Sequence, residues 1–385
     1  MKSILFYITR YPGYGGIENI TTLLANHLLM IGYKVSILSF IQQDEINLLN
    51  QLNHNVSFYK LPNKANINAK ENQYFLNQIV TDNNITTIIY QDCYFPNENL
   101  LLNVTNRNNI NIICVEHTAP DCSIKGMKHG IKQVPWYNFY QIVKILFFNI
   151  LGLKRAKKRK QTLYNFCNKY VVLSKGYIPI FLKLNHIKNS TKILAIENPI
   201  SIPISENLNE KENICLFVGR FSPEKGLKYL LKIWQEIEKS SKYKEWKLIM
   251  VGDGPERIKV ESYIKNNKLT RVQLEGFQSN VSDYYKRASI LCMTSIFEGF
   301  PLTLPEAMSN GVIPIAFNSF AAISDIIDHK NNGILINPFN TRIYTENLIK
   351  LIEQPTYRKQ LAKNAILKAQ NFLPNLIWNK WEKII

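Results

Sequence analysis

Two glutamates, Glu298 and Glu306, are separated by the seven residues Gly299-Phe300-Pro301-Leu302-Thr303-Leu304-Pro305. A carboxylate accepts several hydroxyl hydrogen bonds at once, which is what a ribose diol or a sugar ring demands. The stretch reads as a loop running into a helix, with Glu298 in the loop and Glu306 in the first helical turns. Backbone N–H groups from Gly299 to Thr303 would then point out of the helix start toward a phosphate. As a bare spacing, a charged helix start explains the same residues. Upstream, Gly219-Arg220-Phe221-Ser222-Pro223-Glu224-Lys225-Gly226 follows an apolar run and sets two cations five residues apart. Arginine offers a planar fork of donors and lysine a compact charge, a pair suited to a diphosphate; a solvated basic loop is the plainer reading.

Three further stretches bear on the chemistry. Tyr11-Pro12-Gly13-Tyr14-Gly15-Gly16-Ile17-Glu18 is a glycine-rich turn between a strand pattern and a helix pattern. Such a turn lets main-chain N–H groups approach an anion, or is simply a turn. It meets neither the dinucleotide fingerprint nor the P-loop pattern, which weakens an NAD or ATP enzyme. Val251-Gly252-Asp253-Gly254-Pro255 repeats the strand–glycine–helix arrangement with proline at the first turn and reads mainly as structural. His117 follows the strand pattern Asn111–Glu116, where an isolated histidine is more often a hydrogen-bonded core residue.

The elements that must position these groups alternate along the chain. Apolar runs at Ser3–Thr9, Lys34–Phe40, Ile85–Tyr90, Asn111–Glu116 and Tyr170–Ser174 have helical periodicity between most of them. One helix stripe comprises Ile17, Ile20, Leu24, Leu28 and Ile31 and stops at Gly32. The pattern restarts after Asn198-Pro199, with strands at Ile214–Gly219, Lys247–Val251, Arg271–Glu275, Ile290–Thr294, Val312–Phe317 and Gly333–Ile336. Helices Gly226–Lys239 and Pro255–Lys268 are expected between them. Continuous Val/Ile/Leu strands imply parallel sheets covered on both faces. The expectation is therefore an α/β protein of two Rossmann-like domains, 1–197 and 198–370, hinged at Asn198-Pro199, with a helix over 371–385. The cation pair and the carboxylate pair converge at the carboxyl edge of one such sheet, where these folds bind ligands.

The chain of 385 residues has 46% hydrophobic residues and a net charge of +18, which excludes disordered and collagen-like classes and requires an anionic partner or none beyond coding bias. Its 6 cysteines form no CxxC pair and suit a reducing compartment, with no metal site. Neither a signal peptide nor a spanning helix is read, so a cytoplasmic protein is expected. The apolar, aromatic segment 134–151, with Trp136, Phe147 and Phe148, runs directly into Lys154-Arg155-Ala156-Lys157-Lys158-Arg159-Lys160. A belt of rings beside a polybasic run suits the inner face of an anionic membrane. The alternative is a core helix followed by a solvated one. No nucleic-acid recognition motif accompanies the charge, and nucleic acid leaves the two glutamates unexplained.

In order along the whole chain, Gly15-Gly16-Ile17-Glu18, Val115-Glu116-His117-Thr118, Val171-Val172-Leu173-Ser174, Asn198-Pro199, Gly219-Arg220 to Lys225-Gly226, Val251 to Pro255 and Glu298 to Glu306 resemble the family-4 glycosyltransferases. These are retaining nucleotide-sugar transferases of the GT-B fold. The resemblance implies two sheets facing a central cleft and a final helix, with Trp378 and Trp381, crossing back to the first domain. It implies Arg220 and Lys225 at the donor diphosphate, Glu306 at its ribose and Glu298 at the transferred sugar. Gly299, Phe300, Pro301 and Thr303 would complete the donor site, Gly16 would bring an amide from the opposite domain, and His117 would face the sugar and acceptor. No DxD motif is present, so the two cations would replace a metal and no cofactor is expected. The implied partners are a nucleotide diphosphate sugar, UDP on family base rates, and a lipid-linked or lipopolysaccharide acceptor in surface-polysaccharide assembly. A nucleotide-sugar epimerase and a non-catalytic sugar-nucleotide or lipid-binding module are the competing readings.

Overall fold

A computed structural model describes residues 2–13, 15–41, 51–94, 97–133, 139–205 and 210–385. The chain divides into two compact units, one of Met1–Met127, Ile131–Asn198 and Asn375–Ile385, the other of Lys128–Gly130 and Pro199–Pro374.

The first unit is built on β1 (Ser3–Arg10), β2 (Lys34–Ile41), β3 (Ser57–Lys60), β4 (Thr87–Tyr90), β5 (Asn111–Glu116), β6 (Lys169–Val172) and β7 (Ile193–Ala195). They lie in the order β3-β2-β1-β4-β5-β6-β7, every pair parallel. Ile4 to Tyr7 of β1 are fully buried, as a strand hydrogen-bonded on both edges and covered on both faces must be. The edge strands β3 and β7 are not among the apolar runs of the sequence. They are short and largely half-buried, because each has one neighbour and less to cover it. Helix Gly16–Met30 turns Ile20, Leu24 and Leu28 inward, whereas Ile31 falls beyond its end and is exposed.

The C-terminal helix begins at Pro374, not at Asn371. Proline disfavours the helical region for the residue before it, and Leu373 is extended. The helix Pro374–Glu382 packs within the first unit. Trp378 stacks on His27 with centroids 5.5 Å apart, and His27 Nε2 lies 2.7 Å from Glu382 Oε1. Beyond the helix, Lys2 Nζ and Asn111 Nδ2 donate to the Ile385 and Ile384 carbonyls.

The second unit carries β8 (Ile214–Val218), β9 (Lys247–Val251), β10 (Val272–Gly276), β11 (Ile290–Met293), β12 (Ile313–Phe317) and β13 (Ile334–Ile336). Their order is β10-β9-β8-β11-β12-β13, again all parallel. Helix Leu227–Glu238 buries Leu230, Leu231, Trp234 and Ile237 against this sheet, and the Tyr344 hydroxyl donates to the Ile315 carbonyl at 2.7 Å. Each unit is thus an α/β Rossmann-like fold. In each the strand order reverses beside its first strand, between β1 and β4 and between β8 and β11. Loops leaving the carboxyl ends diverge at that point and open a crevice for ligand.

The apolar and basic segments expected at the membrane fall on one helix, Phe139–Phe166. Trp136 and the side chains of Phe147 and Phe148 lie outside the described residues. The structure corrects the assignment of Lys160: its ammonium is buried in an ion pair with Glu116 and donates to the Pro120 carbonyl at 3.2 Å. The Tyr170 hydroxyl donates to the other Glu116 oxygen at 2.9 Å. An ion this far from water is stable only with its partner in place, so Lys160 is a structural residue and not a surface cation. Arg159 is half-buried and donates to the Tyr94 carbonyl at 2.5 Å.

Candidate active site

At the β8–β11 reversal, the loop after β8 brings Lys225 and the loop after β11 brings Glu298. Lys225 Nζ lies 2.6 Å from Glu298 Oε1, and the Ser295 hydroxyl donates to the same oxygen at 2.7 Å. The pair is half-buried, so it is shielded from salt yet reachable by a ligand. Backbone contacts set the spacing of the two loops. Ile296 N donates to Glu224 O at 2.7 Å, and the Thr294 hydroxyl donates to the Lys225 and Gly226 carbonyls. Gly226 is left-handed (φ 63°), and a Cβ on it would stand 2.3 Å from the Thr294 carbonyl oxygen, so only glycine fits between the loops.

The second glycine motif does similar work from the other side. A Cβ on Gly252 would lie 1.9 Å from the Gly219 carbonyl oxygen, and one on Gly254 would lie 2.6 Å from that of Phe221. Phe221 N donates to Asp253 O, and Glu256 N donates to Phe221 O. The main chain carrying Arg220 is therefore clamped by the loop after β9. Arg220 itself is exposed on that clamped loop.

Glu306 sits on the short helix Thr303–Ser309 and is 6% exposed. Its Oε1 accepts a hydrogen bond from the Ser201 hydroxyl at 2.5 Å, while the Tyr285 hydroxyl lies 3.4 Å from Oε2. Burial raises its pKa from the ordinary carboxylate range to about 7, against the lowering effect of these two hydroxyls. The expected row of N–H groups from Gly299 to Thr303 needs correction. Pro301 has no N–H, and Phe300 buries its ring against Phe372 at 5.4 Å, leaving only its backbone to a ligand. Gly299 and Thr303 are half-buried beside them.

In the first unit the corresponding edge holds His117 and Gly16. His117 follows β5, and its Nε2 lies 2.6 Å from Oε1 of Gln91, which follows β4. Burial lowers the imidazole to about 4, so the ring is neutral near pH 7. Asp92, the neighbour of Gln91, accepts from Thr9 N–H and is raised to about 6 by burial. Gly16 opens the 15-residue helix and is exposed, but the chain's own Glu18 folds back over that helix start. A Cβ on Gly15 would stand 2.3 Å from Glu18 Oε2, and Arg10 Nε holds Glu18 Oε1 at 3.1 Å. Ser201, Tyr285, Ser295 and Gln91 carry no signature in the sequence.

With this geometry in view, residues 201–368 match the family model described as "Glycosyl transferases group 1". The chain is 27% identical over 389 residues to an uncharacterized glycosyltransferase of Haemophilus influenzae, covering all of both chains. It is 28% identical over 230 residues to a Campylobacter jejuni enzyme, covering 59% of this chain and 62% of that one. That enzyme is named an alpha-1,4-N-acetyl-D-galactosaminyltransferase of a diNAcBac-PP-undecaprenol-linked GalNAc disaccharide. Anabaena HepE, crystallised with UDP-glucose, has the same fold with TM-score 0.76 and 15% identity over 100% of this chain and 99% of its own. The fold is GT-B, two Rossmann-like units in one chain. The second unit thus carries the match to the group 1 glycosyltransferase domain, and the chain as a whole is similar to glycosyltransferases, among them ones named for amylovoran biosynthesis and for lipopolysaccharide galactosyl transfer.

Proposed function

We propose that the protein transfers a hexose or N-acetylhexosamine from a UDP-sugar, with retention of configuration, to a lipid-linked or lipopolysaccharide acceptor. The observation that carries this reading is the meeting of Lys225 and Glu298 at the β8–β11 reversal, a cation for phosphate beside a carboxylate for sugar hydroxyls. The Campylobacter relative, named for a lipid-linked acceptor, supports the acceptor class, and the UDP-glucose bound to HepE supports the donor.

In this reading Lys225 and Arg220 bind the diphosphate, Glu306 the ribose, and Glu298 the transferred sugar, with backbone groups of Gly299, Phe300 and Thr303 near the phosphates. Breaking the anomeric carbon–oxygen bond leaves charge on the outer phosphate, and fixed cations stabilise that charge without reorganising. The acceptor oxygen bonds to the anomeric carbon from the leaving-group face, and its proton passes to the departing phosphate oxygen. Neutral His117 exchanges hydrogen bonds with sugar hydroxyls and adds no charge, and Gly16 offers a main-chain amide. Replacing Lys225 or Glu298 by alanine should lower kcat/KM for UDP-sugar transfer by about 10²–10³-fold. Wild-type rates in both variants, or a thermal-shift screen in which no UDP-sugar stabilises the protein, would sink the assignment.

The same reading places the enzyme at the inner membrane surface. Among the described residues no helix is long and apolar enough to cross a membrane. On helix Phe139–Phe166, Val143, Ile150 and Leu151 are exposed, and so are Lys154, Arg155 and Lys158, with Lys157 half-buried. Leu151, Lys154, Arg155 and Lys158 follow helical spacing along one face. Each cation there contributes about 1 kcal/mol against anionic lipid. Changing Lys154, Arg155, Lys157 and Lys158 to glutamine should abolish co-sedimentation with phosphatidylglycerol vesicles and spare transfer to a soluble acceptor. Persistent sedimentation would refute the membrane role.

A further inference from the structure

Glu306 is a buried carboxylate whose task, on the reading above, is to accept two ribose hydroxyls. A carboxylate does so only when ionised and when its plane is fixed. Its own helix supplies neither condition, because that helix is short and burial opposes the charge. What fixes it comes from elsewhere. Ser201 lies two residues beyond Pro199, where the second unit begins, in a segment pinned to that unit on both sides. Ile200 N donates to Phe372 O at 2.8 Å, and Ser205 N donates to Ser309 O at 2.9 Å. Phe372 packs on Phe300 of the loop before Glu306, and Ser309 closes the helix that bears Glu306, its hydroxyl donating to the Glu306 carbonyl at 2.8 Å. The Ser201 hydroxyl is thereby presented to Oε1 at 2.5 Å by a backbone tied down at Ile200 and Ser205. On the opposite side the Tyr285 hydroxyl, from helix Ser282–Arg287, is fully buried and 3.4 Å from Oε2, too long for a strong bond.

We propose that Ser201 is the positioning residue of the nucleoside site, its hydroxyl orienting the Glu306 carboxylate so that the lone pairs left on both oxygens face the vicinal diol of a ribonucleotide. Tyr285 walls the far side of the carboxylate and adds a weaker contact. Ser201 acts through Glu306 and touches no reacting atom. The inference rests on Glu306 lying in the nucleotide site. A hydroxyl that stabilises the ionised form also sets the pH below which the site stops holding a diol. Such an interaction is made equally in ground and transition state, so its loss appears in KM and not in kcat.

The test is UDP binding by calorimetry on the full chain from pH 6 to 9, with donor kinetics, for wild type, Ser201→Ala, Ser201→Thr, Tyr285→Phe and Glu306→Gln. Ser201 is exposed, so its variants should fold, and their thermal midpoints check this. Ser201→Ala should weaken UDP about 5–10-fold at pH 7 and less at pH 9. It should move the acid limit of binding upward and raise donor KM at unchanged kcat. Ser201→Thr should restore the wild-type profile, and Tyr285→Phe should cost less than about threefold. If Glu306→Gln weakens UDP while Ser201→Ala matches wild type at every pH, Ser201 does not position the carboxylate. If Glu306→Gln itself leaves UDP affinity unchanged, the ribose assignment falls and takes this inference with it.

Discussion

At the carboxyl edge of the second sheet, charges from two loops meet: Lys225 from the loop after β8 and Glu298 from the loop after β11. At the equivalent edge of the first sheet the carboxylates are covered by the chain's own donors: Thr9 N–H donates to Asp92 and Arg10 holds Glu18, while Thr9, Tyr90 and Asn97 form a hydrogen-bonded group and Gln91 holds His117. The first unit has a buried ion pair too, Lys160 with Glu116 at the end of β5, and both its side chains are shut away from solvent. The same strand order thus supports two electrostatic designs. One leaves a half-buried ion pair at the sheet edge. The other covers its carboxylates with its own donors and presents the uncharged imidazole of His117.

The largest expected effect tests whether the first unit's ion pair is structural. Lys160→Met should destabilise the protein by about 3–5 kcal/mol, because Glu116 would be left buried and unpaired. Urea unfolding measures it; a loss below ~1 kcal/mol would put Lys160 back among the surface cations. Next comes opposite pH behaviour in the two edges. Glu306, raised from 4.5 to about 7, binds an extra proton when folded, so its contribution to stability falls as pH rises through that window. His117, lowered from 6.5 to about 4, binds its proton more readily unfolded, so its contribution falls as pH drops through that window. Glu306→Gln should therefore gain up to ~3 kcal/mol over wild type between pH 5 and pH 8. His117→Gln should lose its disadvantage, or gain, toward acid pH. Equal differences at both pH values would refute the buried states assigned here. The smallest effect tests the neutrality of the His117 ring. Gln91→Glu puts a carboxylate on His117 Nε2 and should raise the imidazole pKa by one to three units, read by NMR titration. An unmoved titration would show that Gln91 does not face the ring.

How much of this was legible depended on the kind of signal. The central strands were readable because strands such as β1, β5 and β9 are runs of apolar residues with no polar break. The edge strands β3 and β7 were not, since Ser57-Phe58-Tyr59-Lys60 and Ile193-Leu194-Ala195 need the neighbouring strand to define them. Lys225, Glu298 and Glu306 stood out because charge beside glycine and proline at loop–helix junctions is unusual. Ser201 and Gln91 did not, because a serine or glutamine in a loop is common and its partner lies far along the chain. Lys160 was misread because a run of cations looks uniform in sequence, whereas a helix turns one of them inward.

The clamp of Gly252 and Gly254 on the main chain of residues 219–221 divides that neighbourhood into fixed and free parts. Path and length of the turn are dictated by bare backbone meeting bare backbone, so an inserted residue or any methyl group at those glycines should abolish function. The side chains projecting from the turn answer to no such limit. Selection can thus retune what this edge recognises by exchanging side chains one at a time, provided the underlying scaffold of glycines is left alone.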